Sequence, residues 1–223
     1  MSRFKAILFD FDDTLVNSYH ARVIAAEKAA ENNLDPDIDL ERIMKEWAGR
    51  PQMEIWMDLT GDEKKSEALM DGYKNWYWKE TTKEVTLFPG VREMLDTLKS
   101  KGFTLGIVTS KARLLHDMDE PYGALVEMQR LGCDGFFDLV VGWGDVQESK
   151  PAPAPILFAV DKLGIGIQDA LMVGDSHIDI TSAKRAGVTS AGAAWGTLSR
   201  ELLVQAEPDY ILESPSELFS LEL

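Results

Sequence analysis

Two aspartates, Asp10 and Asp12, stand two residues apart directly after the apolar run of residues 6–9. In an extended chain the side chains at positions i and i+2 share a face, so both carboxylates point into one cavity. Paired carboxylates repel each other, and a fold tolerates them where a cation or a shared proton relieves the repulsion. The pair is therefore a candidate site. Aspartate and threonine also favour turns and helix caps, so the stretch from Asp10 to Thr14 equally fits a simple cap of the next helix.

Hydroxyl, ammonium and carboxylate groups recur at later positions in the chain. Thr109 and Ser110 end a second strand-like apolar run, and Lys150 stands in a proline-rich loop before a helical stretch. Asp175 and Asp179 follow a third apolar run. Each of these residues alone has an ordinary structural explanation, as a helix cap, a solvated loop cation or a first-turn acid. Their joint placement near the ends of strand-like runs favours a shared site.

The elements that must position these residues follow from the hydrophobic pattern. From residue 87 onwards, short apolar runs alternate with helical stretches, which predicts a mostly parallel sheet with right-handed crossovers. The strands are expected near residues 6–9, 104–108, 138–141, 170–173, 188–191 and 209–212. The helices of this part are expected at 91–101, 154–163 and 178–186. Ligands of such sheets bind outside the carboxyl ends of the strands, where the strand order reverses.

The stretch before residue 87 has a different character. Residues 17–86 lack strand-like alternation and predict a helical insertion, with its first helix capped by Asn17 or Ser18. The helices of the insertion are expected at 19–33, 39–48, 52–60 and 63–83. The predicted division of the chain is a core of residues 1–16 and 87–223 and a helical unit of residues 17–86.

Composition and charge limit the classes of partner. The chain of 223 residues carries a formal charge of −15, which opposes binding to nucleic acid because phosphate neutralisation needs clustered Lys and Arg. Only four apolar residues separate Lys5 from Asp10, too few for a signal peptide, and no apolar stretch is long enough to span a bilayer. The single cysteine, Cys133, excludes an internal disulfide and is expected to be a small buried hydrophobe. We therefore expect a cytoplasmic monomer or homodimer without nucleic-acid or membrane partners.

Taken in order, these motifs resemble those of the haloacid dehalogenase-like phosphatase superfamily. The matching stretches are Asp10-Phe11-Asp12-Asp13-Thr14, the strand end at Thr109, the isolated Lys150 and Gly174-Asp175-Ser176-His177-Ile178-Asp179. The resemblance spans nearly the whole chain, and its nearest branch is that of phosphoglycolate phosphatases and related small-phosphate hydrolases. It implies a Rossmann-like α/β core with a helical cap inserted after the first motif. It also places the strand before Asp10 between the strands before Thr109 and Asp175.

The resemblance, together with side-chain chemistry, suggests a role for each residue. Asp10 is the candidate nucleophile, because a carboxylate can attack phosphorus and form an aspartyl-phosphate. Asp12 would protonate the departing alcohol and then take a proton from the attacking water. The groups expected to hold the phosphoryl oxygens are Thr109, Ser110, Lys150 and the backbone amide of Phe11.

Electrostatic repulsion indicates that a metal ion is needed. A phosphate ~4 Å from Asp10, Asp12 and Asp175 meets about 4 kcal/mol of repulsion from each carboxylate, roughly 12 kcal/mol in all. Micromolar binding supplies only about 8 kcal/mol. A divalent cation converts the repulsive cluster into a clamp, and oxygen ligands favour Mg²⁺. By resemblance, the metal ligands are Asp10 and Asp175 directly and Asp12 through its backbone carbonyl, while Asp179 orients the metal's waters or Lys150.

Two features depart from the family pattern. Asp13 stands where a glycine is common, and its additional charge is expected to strengthen the attraction of a cation. Residues 112–130 form a long stretch interrupted by Pro121, which predicts a loop or bent helix beside the site. No chemistry is assigned to that stretch.

Three functions remain open. The best fit is a Mg²⁺-dependent hydrolase of a small phosphate ester, in which Arg50 either contacts a substrate anion such as a carboxylate or faces solvent. A phosphomutase acting on a sugar phosphate would use the same Asp10 and Asp12 but retain the phosphoryl group. A non-catalytic interaction protein on a phosphatase fold is the alternative of another class, and the complete motif set argues against it.

Overall fold

The computed structural model of the chain describes residues 3–31, 33–197 and 200–221. Its strands are β1 (Ala6–Phe9), β2 (Val16–Asn17), β3 (Thr86–Leu87), β4 (Thr104–Ala112), β5 (Leu139–Trp143), β6 (Ala170–Gly174), β7 (Thr189–Ala193) and β8 (Tyr210–Leu212). Within these described residues, six strands form a parallel sheet with the spatial order β5-β4-β1-β6-β7-β8. The predicted α/β, Rossmann-like fold is confirmed.

Strand β1 occupies the middle of the sheet, and all of its residues are apolar and fully buried. Its last residue, Phe9, pairs with Ile107 of β4 on one side and with Val173 of β6 on the other. Parallel pairing in this register brings the carboxyl ends of the three strands to one edge. The predicted central position of the strand before Asp10 is therefore confirmed.

Helices cover both faces of the sheet. The helices are α1 (Tyr19–Ala30), α2 (Leu40–Glu46), α3 (Gln52–Thr60), α4 (Glu63–Lys79), α5 (Val91–Ser100), α6 (Ala124–Arg130), α7 (Ala154–Leu163), α8 (His177–Ala186) and α9 (Arg200–Gln205). Side chains alternate along β1, so Leu8 packs in the cluster formed with α7 and α8, whereas Ile7 and Phe9 pack with α5. Among the described helices, none is long and apolar enough to cross a membrane.

Helices α1 to α4 lie between β2 and β3, two short strands that pair antiparallel outside the main sheet. We call residues 17–86 the helical segment. The hydrophobic pattern does not predict β2 and β3, because a strand of two residues is too short to show alternation. Helix α1 ends at Ala30 and not at residue 33, since asparagine favours turns over helix interiors; Asn32 itself lies outside the described residues.

Residues 112–130 form an irregular loop followed by helix α6. An antiparallel bridge between Leu115 and Tyr122 closes the loop. The loop reaches helix α4 of the helical segment through an ion pair between Lys74 and Asp117, with 2.9 Å between Nζ and Oδ2. The stretch therefore follows β4 in the chain and contacts the helical segment, beside the carboxyl edge of the sheet.

Candidate active site

Asp10 is the first residue after β1, and only 4% of its surface is exposed. Its Oδ1 lies 3.0 Å from the ammonium of Lys150 but makes no hydrogen bond with the residues that the structure describes. Burial, followed by repulsion from Asp179, raises the pKa of Asp10 to about 7. An anionic Asp10 therefore calls for additional positive charge nearby.

Asp175 follows β6 and is held by two hydrogen bonds. Its Oδ1 accepts one from Oγ1 of Thr14 (3.0 Å), and its Oδ2 accepts one from the backbone amide of Thr197 (3.1 Å). Burial and the neighbouring carboxylates, of which Asp13 has the largest effect, raise the pKa of Asp175 well above its ordinary value. Asp10 and Asp175, two of the predicted metal ligands, therefore both have a raised pKa because they are buried beside other carboxylates.

Lys150 is buried between two of the acids. Its Nζ lies 2.6 Å from Oδ1 of Asp179 and donates a hydrogen bond to the carbonyl oxygen of Val108 (2.8 Å). Burial lowers the pKa of Lys150, but attraction to Asp10 and Asp179 outweighs it, so the pKa is raised and the ammonium stays charged. Asp179 is also fixed at the start of α8 by a capping box with Ser176. Asp179 therefore both caps a helix and pairs with the lysine.

The carboxylates of Asp10, Asp175 and Asp179 converge. One oxygen of each lies within 4.8 Å of the other two, and all three residues are buried. A divalent cation would engage Oδ1 of Asp10, which accepts no hydrogen bond from the described residues, and relieve the repulsion that raises the pKa of Asp10 and Asp175. Carboxylate oxygens are the ligands that hard divalent cations prefer. The three residues therefore fit a divalent metal ion.

The side chain of Asp12 does not belong to this acidic triad. Its Oδ1 accepts hydrogen bonds from Oγ of Ser18 (2.6 Å) and from Nζ of Lys111 (2.8 Å). Burial raises the pKa of Asp12, but attraction to Lys111 and Arg22 outweighs it, and the pKa falls below its ordinary value. Ser18 makes no side-chain hydrogen bond that caps α1. Ser18 therefore stands at the predicted N-cap position of α1, but its hydroxyl bonds to Asp12 and does not cap the helix.

Asp13 supplies the cap of α1. Its φ of 61° is a left-handed conformation that aspartate tolerates better than most residues. Its Oδ1 accepts hydrogen bonds from the backbone amides of Ser18 (3.0 Å) and Tyr19 (2.8 Å). Its Oδ2 accepts from Arg22 and from the Thr197 hydroxyl. Asp13 is thus engaged by α1 and Arg22, but its charge also acts on Asp175, so its expected contribution to cation attraction stays a prediction.

The predicted phosphate-binding residues occupy different environments. Thr109 is buried, and its Oγ1 accepts a hydrogen bond from the backbone amide of Lys111 (3.1 Å). The Ser110 hydroxyl donates to the carbonyl oxygen of Gly49 (2.5 Å), so it is already engaged by the helical segment. The carbonyl oxygen of Phe11 accepts two backbone hydrogen bonds that close the turn after β1.

A cavity of about 350 Å³ lies between the carboxyl edge of the sheet and the helical segment. The core side of its wall includes Asp10, Asp12, Asp13, Thr109, Ser110, Lys111 and Asp175. The helical segment contributes residues that include Arg22, Gly49, Arg50, Tyr73, Lys74, Tyr77 and Trp78. The predicted nucleophile, Asp10, and aromatic and cationic side chains of the helical segment therefore line the same cavity.

Arg50 lies on the wall of this cavity. Its guanidinium pairs with Asp58, with 2.7 Å between NH2 and Oδ2, and lies over the ring of Trp47 at 4.9 Å from the centroid. A quarter of the Arg50 side chain (25%) is exposed. A substrate anion at Arg50 would therefore compete with the partly exposed carboxylate of Asp58.

Two charged residues beside the site, Lys111 and Glu127, were absent from the predicted set. Nζ of Lys111 contacts both Asp12 and Glu127, and Glu127 is buried in α6. Lys111 directly follows the strand end at Thr109 and Ser110, and this position was a usable signal. Glu127 gave no comparable signal, because a glutamate in a helix is usually exposed to solvent.

Two glycines allow backbone to approach the acids closely. A Cβ at Gly174 would lie 2.4 Å from the Cβ of Asp179, and a Cβ at Gly196 would lie 2.2 Å from the Cβ of Asp175. Real side chains do not pack this tightly, so both positions require glycine. Gly174 belongs to the motif identified in the sequence, whereas Gly196 stands outside it.

Comparison with known proteins identifies the family. The haloacid dehalogenase-like hydrolase family matches residues 7–193. Pyrophosphatase PpaX from Bacillus velezensis is 32% identical over 219 residues, which cover 98% of this chain and 96% of the relative. PpaX from Anoxybacillus flavithermus is 33% identical over 215 residues, with coverage of 96% and 95%. The crystal structure of a predicted phosphoglycolate phosphatase from Haemophilus somnus 129pt superposes with a TM-score of 0.86 at 25% identity, covering 100% of both chains. The chain therefore belongs to the haloacid dehalogenase-like hydrolases, as its motifs predicted.

Proposed function

We propose that the chain is a Mg²⁺-dependent phosphatase that hydrolyses a small phosphorylated metabolite, such as phosphoglycolate, through an aspartyl-phosphate on Asp10. The observation that carries this proposal is the convergence of Asp10, Asp175 and Asp179 beside the ammonium of Lys150. Family membership supports a hydrolase. The names of the relatives, pyrophosphatases and a predicted phosphoglycolate phosphatase, support phosphate-bearing substrates.

Asp10 is the group that attacks phosphorus. Its carboxylate oxygen forms a new bond to phosphorus while the bond to the leaving oxygen breaks, with the electron pair moving to that oxygen. Asp12 is anionic before the substrate enters, so it takes a proton from solvent water as the negative phosphate approaches, and it then passes that proton to the leaving oxygen. Water then attacks the aspartyl-phosphate, and Asp12 accepts a proton from it. The bond between phosphorus and Asp10 breaks, which releases inorganic phosphate.

The phosphoryl group needs positive charge and hydrogen-bond donors around its oxygens. Mg²⁺ would be held by Asp10, Asp175 and the backbone carbonyl of Asp12, and when bound it would neutralise phosphoryl charge. Asp179 keeps Lys150 in place for the same purpose. The further groups proposed to hold the oxygens are the Thr109 hydroxyl, the backbone amide of Phe11 and, through its backbone, Ser110.

We place residues 17–86 in a helical cap that completes the cavity over the core of residues 1–16 and 87–223. Arg50, on the cap side of the wall, is proposed to contact an anionic group at the far end of the substrate. Replacing Arg50 with Ala should raise KM several-fold for phosphoglycolate and leave kcat unchanged, since binding is lost equally from the ground and transition states. An unchanged KM would remove Arg50 from the substrate site.

Inorganic pyrophosphate is a second candidate substrate. It is favoured by the PpaX relatives, which match nearly the full length of the chain at 32% and 33% identity. The same nucleophile and metal ligands would serve, with phosphate as the leaving group.

Phosphate release from phosphoglycolate, pyrophosphate and p-nitrophenyl phosphate tests the proposal. We expect turnover of at least one of these with Mg²⁺, none with EDTA, and none in Asp10→Asn, whose circular dichroism should match the wild type. Turnover by Asp10→Asn would remove the nucleophile assignment. Conversion of a sugar phosphate to its isomer without free phosphate would indicate a mutase.

A further inference from the structure

Glu127 is a buried carboxylate that the proposed mechanism does not use. It stands in α6 with 1% of its surface exposed. Its Oε1 accepts hydrogen bonds from the hydroxyls of Tyr77 (3.0 Å) and Thr82 (2.8 Å), and its Oε2 contacts Nζ of Lys111. A buried charge is costly unless it is paired and hydrogen-bonded. These three contacts, together with the guanidinium of Arg130 at 3.8 Å from Oε1, explain how the fold tolerates this carboxylate.

Lys111 stands between Glu127 and the proposed proton donor. Its Nζ donates a hydrogen bond to Oδ1 of Asp12 at 2.8 Å. Aromatic ring centroids lie 5.2, 5.0 and 5.4 Å from the ammonium and belong to Phe11, Tyr77 and Trp78. A lysine side chain is flexible when free. Contacts on several sides confine this one to a single position against Asp12.

The contacts of Glu127 come from two parts of the fold. Tyr77 and Thr82 belong to the helical segment, whereas Lys111 belongs to β4 and Asp12 to the loop after β1. Glu127 therefore lies at the junction of the helical segment and the reaction site. Lys111 and Tyr77 both contact Glu127 and line the cavity, and of these two Lys111 is the one through which Glu127 is connected to Asp12 by side-chain contacts with the shortest distances.

We propose that Glu127 is a positioning residue. It holds Lys111 against Asp12, and so fixes the orientation in which Asp12 passes a proton to the leaving oxygen. The hydroxyls of Tyr77 and Thr82 make this arrangement depend on the docked helical segment. This inference rests on the proposed phosphatase function, and it adds a residue that acts on the leaving-group side of the reaction.

Two phosphate esters separate this role from a merely structural one. Phosphoglycolate leaves as an alkoxide that needs a proton, whereas p-nitrophenolate departs without one. In Glu127→Gln we expect kcat/KM for phosphoglycolate to fall about tenfold or more, since general acid catalysis contributes that much. For p-nitrophenyl phosphate the loss should stay below about threefold, because its first step draws little on the proton donor.

A double substitution tests whether Glu127 acts through Lys111. Lys111→Met should show the same imbalance between the two esters. The variant that carries both Glu127→Gln and Lys111→Met should lose no more than Lys111→Met alone, since two residues acting through one contact are not additive. Additive losses would overturn the proposal. If Glu127→Gln does not fold, Glu127→Asp keeps the charge and should give a smaller imbalance in the same direction.

Asp119→Asn is the matched control. Asp119 lies in the same stretch of chain and pairs with Lys79 of α4, with 3.4 Å between Nζ and Oδ2, but both side chains are exposed. We expect both kcat/KM values to stay at the wild-type level in this variant. Equal losses for both esters in Glu127→Gln, or no loss, would overturn the positioning role while leaving the proposed function intact. A wild type that hydrolyses neither ester would overturn the role of Glu127, and one that also fails to hydrolyse pyrophosphate would overturn the proposed function itself.

Hydrogen exchange provides a readout apart from activity. Glu127→Gln should speed amide exchange in residues 109–113 and 73–82, which hold the partners of Glu127, and leave β6 protected. Unchanged exchange in both stretches would show that Glu127 does not couple them.

Discussion

Two buried lysines flank the end of β1, and each joins a pair of carboxylates. Lys150 joins Asp10 to an acid of α8, and Lys111 joins Asp12 to an acid of α6. In each pair one acid takes part in the proposed reaction, and the other holds the lysine from behind. The same arrangement, a buried lysine between two carboxylates, therefore occurs twice near the end of β1.

The two lysines differ in what surrounds them. Lys150 has 1% of its side chain exposed, and its partners Asp10, Asp179 and Val108 all belong to the core. Lys111 has 10% of its side chain exposed and also contacts Tyr77 of the helical segment. We infer that the Lys150 contacts are independent of the helical segment, whereas the Lys111 contacts depend on it.

Lys150→Met should have the largest effect. It removes charge that stabilises the transferring phosphoryl group, so kcat/KM should fall about a thousandfold, or about 4 kcal/mol. Phosphoglycolate and p-nitrophenyl phosphate should lose equally, because both present the same phosphoryl group. Lys162→Met, which removes an exposed lysine of α7, is the control and should keep full activity. A loss confined to phosphoglycolate would erase the distinction between the two lysines.

Lys111→Met should lower the free energy of unfolding more than the substitution of an exposed lysine does. It removes the nearer of two cations from the buried carboxylate of Glu127 and leaves Arg130, whose NH2 lies 3.8 Å from Oε1, so the free energy of unfolding in urea should fall by about 3 kcal/mol. Replacing Glu127 with Met as well should restore most of this stability, since an apolar pair needs no charge compensation. A double variant no more stable than Lys111→Met would show that Lys111 does not compensate Glu127.

Gly174→Ala should displace Asp179, which pairs with Lys150. A Cβ there would lie 2.4 Å from the Cβ of Asp179, so we expect a loss of about 2 kcal/mol in the free energy of unfolding, with reduced activity. Gly135→Ala is the matched control, because within the described residues nothing lies within 4 Å of its added Cβ. Equal stability of the two variants would contradict the close approach at Gly174.

Cys133 lies just after the end of α6 and has no part in the proposed reaction, so the reactivity of its thiol measures how well this region is packed. Burial raises the pKa of its thiol to about 11, and its Sγ lies against the carbonyl oxygen of Met128. Because the thiolate reacts, alkylation by iodoacetamide at pH 8 should be about a hundredfold slower than in urea and should rise as the pH approaches 11. Mass spectrometry follows the rate. Equal rates in the native and unfolded protein would place the thiol at the surface.

The sheet and the acidic triad could be predicted because they depend on local pattern. Apolar runs mark the strands, and the carboxyl ends of neighbouring parallel strands must meet, so Asp10 and Asp175 had to come together. The same reasoning placed Thr109 at that edge. The direction of these side chains was predictable, since Asp10 and Asp175 directly follow buried strands and Thr109 lies in the second half of β4.

Side-chain partners from distant parts of the chain could not be predicted. Asn17 or Ser18 was the predicted cap of α1, but the carboxylate of Asp13, which has a left-handed backbone, accepts the hydrogen bonds from the amides of Ser18 and Tyr19. Glu127 accepts a hydrogen bond from Tyr77, which is 50 residues away in the sequence, and no local sequence pattern predicts this contact. Residues 112–130 make several contacts of this kind, and hydrophobic periodicity does not encode them.

Trapping the covalent intermediate tests the central claim most directly. Asp12→Asn should still accept the phosphoryl group of p-nitrophenyl phosphate, whose leaving group needs no proton, but should hydrolyse the intermediate slowly. After an acid quench in the presence of Mg²⁺, mass spectrometry should find one added phosphoryl group on the peptide that contains Asp10. Steady release of p-nitrophenol with that peptide unmodified, or with the phosphoryl group on another residue, would contradict Asp10 as the nucleophile.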